Sequence, residues 1–450
     1  RGPHRAFRHA RNRRLMALRH KGVLVILDGL GDRPQDALGG RTPLEAADTP
    51  VMDRLAAAGV NGSLDPLGPG FPVDTATGTG LLLGAPRRSM EILSRGPVEA
   101  AGVGLDIAPD DIALRCNFAT LDRRDGRLWV LDRRAGRIDG STGELAGALE
   151  ALDLGDGIVA TVAPATQHRA VARLSGQGLS AAIGDTDPGA EELPAPLRRS
   201  KARQRDDLRA TRTASAVNRF VEQAFSILSD HPVNRRRVAN GEPAANGLIT
   251  RAAGMAVTVR SVVEELGLAA AVVAGESTVI GLARLLAMNA IARPGFTGLP
   301  DTDLDGKMSV ALASLDHHDL AFLHVKGADI CSHDFDPEGK KAFLERVDAA
   351  LAPLLELDLV VGVTGDHSTD ATTGRHTGDP VPALLRAPGG RRDGLDEFGE
   401  ISSARGALTR LTASDYLMSL LDAMGAVPEW RAGNGGVSHL PGGSRSRPPP

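Results

Sequence analysis

Two short segments in the last third of the chain combine Asp and His at spacings typical of metal ligands. The segment "ADICSHD" contains Asp329 and His333 as a D-x₃-H pair. The segment "GDHSTDATTGRH" contains Asp366, His367 and His376 as D-H-x₈-H. Any one of these His residues alone could be an ordinary polar residue, but carboxylate and imidazole ligands together suit Zn²⁺ or Mn²⁺. The joint pattern therefore favours a metal site.

Apolar runs precede these segments and predict the strands that position them. "LAFLHVKGAD" (320–329) and "LDLVVGVTGDH" (357–367) each end in polar residues, and "KGVLVILDGLGD" (21–32) places Asp28 after a third run. Continuous apolar runs of this length are typical of buried parallel strands, whose carboxyl ends meet at one edge of a sheet. We expect these side chains to hold two divalent ions, Mn²⁺ or Zn²⁺ with Mg²⁺ possible. Paired ions about 3.5–4 Å apart clamp a phosphoryl group.

The order of predicted elements indicates an α/β fold. "DTPVMDRLAAAG" (48–59) follows the first strand and has a Pro at the first helical position, which predicts a helix. Strand followed by helix favours a doubly wound sheet. The middle of the chain differs, because "RCNFATLDRRDGRLWVLDRR" predicts a β-hairpin turning at Asp125-Gly126 and "GIVATVAPATQHRAVARLSG" predicts a second hairpin.

This change of pattern predicts a sheet domain that is split in sequence by an inserted domain. We expect a metal-binding domain from residues 21–111 and 301–430 and an inserted substrate-binding domain at 112–300. The basic residues 1–20 are expected to form a disordered extension, and residues 431–450, which end in "PGGSRSRPPP", a disordered tail.

Composition excludes several classes of partner. The formal net charge is −4 and only 3% of residues are aromatic, with a single Tyr, which argues against nucleic-acid binding. No apolar run reaches the roughly 18–20 residues of a membrane span. With only Cys116 and Cys331, a disulfide framework is not expected, which is consistent with a cytoplasmic protein.

Several motifs occur in an order that resembles a known family. They are "LDGLGDRP", "TPLEAADTPVMDRLAAAG", "SRGPVEAAG", "RCNFATLD", "HVKGADICSHD" and "TGDHST…HTGDPVP". Together they resemble the archaeal-type, cofactor-independent phosphoglycerate mutases of the alkaline phosphatase superfamily, over about residues 21–425. The resemblance implies an alkaline-phosphatase-like sheet domain with a smaller inserted α/β domain. It also implies two ligand sets, one of Asp329, His333 and His376, the other of Asp28, Asp366 and His367.

The chain departs from this family at the nucleophile. The family has a Gly-Ser-Asp-Thr-Ala-His segment whose Ser takes the phosphoryl group, whereas this chain has "GPGFPVDTATGTGLLLG" (68–84). One alignment puts Val73 at the Ser position and Thr77 at the His position; the other puts Thr75 at the Ser position. A Thr hydroxyl near a metal can act as a nucleophile, and Val cannot. Thr75 is the first candidate and Thr77 the second; a lost nucleophile is the third reading.

Candidate substrate ligands lie in the inserted domain and beside the metal ligands. Arg groups bind carboxylate and phosphate through paired hydrogen bonds. The resemblance implies that Arg115, His168, Arg169, Asp185 and Lys326 match motif positions, and Arg251 is a further candidate.

These features predict an isomerase that interconverts 3-phosphoglycerate and 2-phosphoglycerate, or a close analogue, through a phospho-enzyme. One alternative keeps the metals and makes the protein a phosphatase, a phosphodiesterase or a phosphonate-type transferase acting on a small phosphorylated or phosphonate substrate. Another alternative is a catalytically inactive metal-binding homologue.

Overall fold

The chain folds into two compact units, seen in a computed structural model that describes residues 19–257 and 259–429. The first, called here the sheet unit, comprises the described residues up to Glu91 and from Val259 onward. The second, the inserted unit, runs from Ile92 to residue 257. The terminal segments expected to be disordered lie largely outside the described residues.

Strands alternate with helices in the sheet unit. The strands in chain order are β1 (Gly22–Leu27), β2 (Val60–Asp65), β3 (Ile112–Arg124), β4 (Arg127–Asp132), β5 (Leu152–Asp153), β6 (Val159–Pro164), β7 (Arg169–Ser175), β8 (Ala195–Pro196), β9 (Gly247–Met255), β10 (Ala270–Val273), β11 (Asn289–Ile291), β12 (Leu320–Val325), β13 (Val360–Thr364), β14 (Ser368–Asp370), β15 (Arg375–Thr377), β16 (Val381–Arg386) and β17 (Thr409–Thr412). The α-helices are Pro43–Ala46, Pro50–Ala57, Thr75–Leu82, Arg87–Ile92, Arg95–Gly102, Thr142–Gly147, Leu208–Ser229, Pro232–Ala239, Val262–Glu265, Ser277–Leu285, Leu304–Ser314, Gly327–His333, Pro337–Ala350, Glu400–Ser403 and Ala413–Ala423.

The sheet unit is built on an eight-stranded sheet in the order β11-β10-β12-β1-β13-β16-β2-β17. β1 lies between β12 and β13 and is parallel to both. All residues of β1, β12 and β13 are buried, as expected for strands covered on both faces. This arrangement confirms the α/β fold class and brings the carboxyl ends of three strands to one edge.

The inserted unit is built on a seven-stranded sheet in the order β5-β6-β7-β3-β4-β8, with β9 paired to β3. β3 and β4 form an antiparallel hairpin that turns at Asp125 and Gly126, both with positive φ. The second hairpin pairs β6 with β7. Both are the hairpins that the alternating patterns predict. An apolar core that includes Phe118 and Phe220 lies between this sheet and the helix Leu208–Ser229.

The boundaries of the inserted unit differ from the expected 112–300. β10 and β11 lie in the eight-stranded sheet, with β10 parallel to β12, so the segment after residue 258 belongs to the sheet unit. At the other boundary, the helix Arg95–Gly102 packs on β3 and β9 and belongs to the inserted unit. The hairpin pattern locates the middle of the insertion. It does not locate the edges, because a short apolar run such as "AAVV" reads alike in either sheet.

Candidate metal centre and nucleophile

Acidic side chains follow the three central strands of the sheet unit, where each strand ends. Asp28 comes directly after β1, Asp329 lies four residues after β12, and Asp366 follows β13. Each is at most 1% exposed. Three carboxylates buried side by side repel one another and lack water, so they require cations or hydrogen-bond donors close by.

Histidine side chains surround these carboxylates and produce two tight groups. In one group, ligand atoms of Asp329, His367 and His376 lie within 4.8 Å of one another. The other group consists of Asp28, His324 and Asp366, by the same distance. Buried oxygen and nitrogen donors grouped in this way suit Zn²⁺ or Mn²⁺, so the residues fit a pair of divalent ions.

The hydrogen bonds of three histidines leave the same ring nitrogen facing the carboxylates. His333 Nδ1 lies 2.8 Å from the Gly374 carbonyl oxygen, and His376 Nδ1 lies 2.8 Å from the Val73 carbonyl oxygen. Since a carbonyl only accepts, each Nδ1 carries the proton. Nε2 of His333 and His376 then points at Asp329 Oδ1, at 3.4 and 3.5 Å. Metal-binding histidines are oriented in this way, by an outer acceptor on the second nitrogen.

The structure brings all six sequence-predicted ligands together but groups them differently. His367 bridges the groups, because its Nε2 lies 3.2 Å from Asp28 Oδ1 while its ring stacks on that of His376 with centroids 3.8 Å apart. His333 lies at the edge, more exposed than the others, with its Nε2 3.3 Å from His376 Nε2.

Sequence reasoning missed His324. It lies within β12, is 1% exposed, and its Nε2 is 3.2 Å from Asp28 Oδ2. The signal was an ionisable side chain inside the apolar run "LAFLHV", two residues before Lys326 and therefore on the same face of the strand.

Lys326 is the cation that faces this cluster. Its Nζ donates to Asp28 Oδ2 at 2.9 Å and to Asp329 Oδ2 at 2.7 Å. Burial alone would lower the pKa of Lys326, but the two carboxylates raise it above its usual value. Burial alone would likewise raise the pKa of Asp28, but Lys326, His324 and His367 together hold it well below the usual value. For Asp366, burial and the charge of Asp28 raise the pKa. The cluster is therefore strongly polarised toward binding cations.

Of the two candidate nucleophiles, the structure brings Thr75 to the cluster. Thr75 is the first residue of the helix Thr75–Leu82, and its Oγ lies 3.3 Å from Asp28 Oδ1 and 3.3 Å from His367 Nε2. Lys326 Nζ donates to the same hydroxyl oxygen at 3.1 Å.

Thr77 has a different environment. Its hydroxyl and its backbone N–H both donate to Asp74 Oδ1, at 2.7 and 3.0 Å, which caps the start of the helix. Val73 contributes its carbonyl oxygen to His376, and its side chain is 7% exposed. Helix capping therefore accounts for Thr77, and contact with the acidic cluster distinguishes Thr75.

The predicted substrate residues of the inserted unit lie largely on adjoining strands. β3 carries Arg115, opposite Arg251 of β9, and Asn117 of β3 lies opposite Arg169 of β7. Burial lowers the pKa of Arg115 to about 10, and Arg95 and Arg251 add to this effect. This is a concentration of positive charge suited to an anion.

His168 and Asp185 lie at the margins of this group. Burial lowers the pKa of His168 to about 4, with further contributions from Arg169 and other arginines, so its ring is neutral at pH 7. Asp185 accepts a hydrogen bond from the backbone N–H of Ala252 at 3.1 Å. Lys326 lies in the sheet unit rather than with these residues.

Sequence reasoning missed the acidic partners of these arginines. Glu99, 2% exposed, lies 2.9 Å from Arg115 Nε. Asp187 lies 3.6 Å from Arg251 and 3.3 Å from Arg133. No periodic signal relates Glu99, in the helix Arg95–Gly102, to an arginine on β3.

Comparison with known proteins identifies the family. The family model described as 2,3-bisphosphoglycerate-independent phosphoglycerate mutase matches residues 56–234. A protein of that name from Methanopyrus kandleri is 42% identical over 428 residues, covering 93% of this chain and 100% of the relative. One from Archaeoglobus fulgidus is 39% identical over 417 residues, covering 91% of this chain and 99% of the relative. The chain belongs to the 2,3-bisphosphoglycerate-independent phosphoglycerate mutases.

Solved structures agree with this membership of the phosphoglycerate mutase family. The cofactor-independent phosphoglycerate mutase from Thermoplasma acidophilum has a TM-score of 0.66 at 36% identity, covering 90% of this chain and 100% of that one. The PH0037 protein from Pyrococcus horikoshii has a TM-score of 0.76 at 32% identity, covering 92% and 100%. The resemblance read from the motifs is therefore confirmed, and with it the classification as an isomerase. No helix among the described residues is long and apolar enough to cross a membrane.

The close approach of the Thr75–Leu82 helix to the metal ligands gives a first prediction. A Cβ at Gly78 would lie 2.0 Å from the Asp366 backbone oxygen, so this position of the phosphoglycerate mutase chain allows no side chain. We expect Gly78→Ala to displace the helix and to lower stability by about 1–3 kcal/mol, measured by thermal unfolding. Gly143→Ala is the matched control, because Gly143 is also helical and no atom lies within 4 Å of its added Cβ. A Gly78→Ala protein as stable as the unsubstituted one would contradict the packing described here.

Proposed function

We propose that this chain interconverts 3-phosphoglycerate and 2-phosphoglycerate through a phosphoryl group carried transiently by Thr75. The observation that carries the proposal is the position of the Thr75 hydroxyl, within 3.3 Å of both Asp28 and His367. The relatives' names state the mutase activity. Thr75 supplies the one hydroxyl within reach of the acidic cluster that the altered "VDTAT" segment offers among its described contacts.

Asp28, Asp329, His333, Asp366, His367 and His376 would hold two divalent ions, Mn²⁺ or Zn²⁺. Such ions would lower the pKa of the Thr75 hydroxyl and neutralise charge on the phosphoryl oxygens. His324 contacts Asp28 and would orient that carboxylate or join its ligand set.

The protein's own groups account for the proton and for the direction of attack. The Thr75 hydroxyl donates toward Asp28 Oδ1, which can take its proton. Thr75 Oγ then forms a bond to phosphorus while the bond from phosphorus to the glycerate oxygen breaks. Lys326, whose ammonium group lies 3.1 Å from Thr75 Oγ, can protonate the departing oxygen.

The second half of the reaction reverses these steps on the neighbouring hydroxyl of glycerate. That hydroxyl loses its proton as its oxygen attacks the phosphorus, and Thr75 Oγ leaves and regains a proton. The sum is an isomerisation that consumes no other reactant. The arginines of the inserted unit, with neutral His168, would bind the substrate's carboxylate and phosphate.

Two free, buried cysteines are consistent with a cytoplasmic location for this reaction, which we propose as the site of action.

Metal content tests the proposed ligand set. Protein equilibrated with Mn²⁺ and freed of excess ion should contain about two ions per chain by elemental analysis. We expect His376→Ala to retain about one, because it removes one Nε2 from the Asp329 group. The control, His317→Ala, changes an exposed histidine and should retain both. Full mutase activity in protein stripped of metal would contradict the proposal.

The nucleophile is tested by comparing threonine variants. Thr75→Ala should lower kcat by about 10³-fold or more while leaving the metal content unchanged, because it removes only the acceptor oxygen. Thr75→Ser should keep measurable activity, since it retains the hydroxyl. Thr77→Ala should lower activity less, through loss of its bond to Asp74.

The assay follows 2-phosphoglycerate formed from 3-phosphoglycerate, with free phosphate measured in parallel. Isomer without phosphate supports the mutase. Phosphate as the main product would indicate a phosphatase, and a larger loss from Thr77→Ala than from Thr75→Ala would assign the role to Thr77.

A further inference from the structure

Thr369 lies between the two ligand groups and contacts a member of each set of predicted ligands. Its Oγ is 2.9 Å from Asp329 Oδ1 and 3.1 Å from His367 Nδ1. A carboxylate only accepts, so the single hydroxyl proton is directed at Asp329 and the oxygen accepts from His367 Nδ1–H. One hydroxyl thereby fixes the orientation of a carboxylate and the tautomer of an imidazole. The remaining nitrogen of His367, Nε2, is left facing Asp28.

Thr369 is itself held firmly by its backbone. The residue is fully buried, and its N–H donates to the Gly31 carbonyl oxygen at 2.9 Å. Its own carbonyl oxygen accepts from Lys340 Nζ at 3.1 Å. Both flanks of Thr369 are therefore bonded, and the hydroxyl has a fixed origin.

Lys340 connects this position to the rest of the sheet unit. Its Nζ also donates to Asp32 Oδ2 at 2.8 Å and to the Gly31 carbonyl oxygen at 3.2 Å. Both charged side chains are completely buried. With three acceptors for three protons, the ammonium group is satisfied, as burial of a charge requires. The helix Pro337–Ala350 is thereby tied to the loop after β1 and to β14.

We propose that Thr369 is a positioning residue that sets Asp329 and His367 in register, so that both ions bind tightly. This inference rests on the proposed function, because it assumes that these two residues are ligands. Outer partners of metal ligands commonly contribute about 10–100-fold to metal affinity. Since its two partners belong to different predicted ligand sets, loss of the Thr369 hydroxyl should weaken both ions.

Two other buried threonines of the sheet unit provide controls. The Thr79 hydroxyl donates to Asp366 Oδ2 at 2.8 Å and so contacts a single ligand. The Thr364 hydroxyl bonds the Pro382 carbonyl oxygen at 3.1 Å and contacts no ligand in its described hydrogen bonds. Replacement by Val keeps the shape of each side chain and removes only the hydroxyl.

The experiment titrates metal-free protein with Mn²⁺ and follows free Mn²⁺ by its EPR signal. Thr369→Val should weaken binding of both ions by about 10-fold or more. Thr369→Ser should restore the affinity, and Thr364→Val should bind like the unsubstituted protein. Thr79→Val should weaken one ion only. The thermal unfolding of each metal-free variant shows that a loss of binding is not a loss of the fold.

Affinity for both ions within about twofold of the unsubstituted protein in Thr369→Val would overturn the inference, as would failure of Thr369→Ser to restore binding. The same pattern from Thr79→Val would also overturn it, because bridging would then have no special effect. Failure of the proposed function has a different signature: the unsubstituted protein would not bind two ions at all.

Discussion

The burial of three carboxylates at the end of three adjacent strands is the constraint on which the rest of the site depends. Asp28, Asp329 and Asp366 cannot remain charged there without positive charge or hydrogen-bond donors around them. Lys326, the surrounding histidines and the threonine hydroxyls meet that requirement within the chain. The same demand makes the cluster a strong site for divalent cations, which a phosphoryl-transfer enzyme uses to offset charge on the reacting phosphorus.

The geometry of the nucleophile follows from how closely a helix approaches this cluster. Gly78 lets the Thr75–Leu82 helix lie against the Asp366 backbone, and Asp74 caps its first turn. These two features bring the Thr75 hydroxyl to Asp28 and direct Thr77 to the cap. A threonine in place of the family's serine keeps the hydroxyl and adds only a methyl group, so the chemistry of the acceptor is retained.

Much of this site was predictable because ligands follow apolar strands, a pattern visible in "KGVLVILD" and "VVGVTGDH". The choice between Thr75 and Thr77 was not, since two residues in one helical turn differ in direction but not in sequence context. His324 was missed because a residue inside a strand carries no end-of-strand signal. Thr369 and Glu99 act through contacts distant in sequence, and the insertion's edges depend on which sheet a short strand joins.

The most direct test of the account is to find where the phosphoryl group resides during turnover. Metal-loaded protein is mixed with 3-phosphoglycerate, quenched in acid and digested, and the peptides are sequenced by mass spectrometry. The account predicts a phosphoryl group on Thr75, and none on that peptide in Thr75→Ala. A phosphoryl group on Thr77 or on a histidine, or turnover with no phosphorylated peptide, would contradict it.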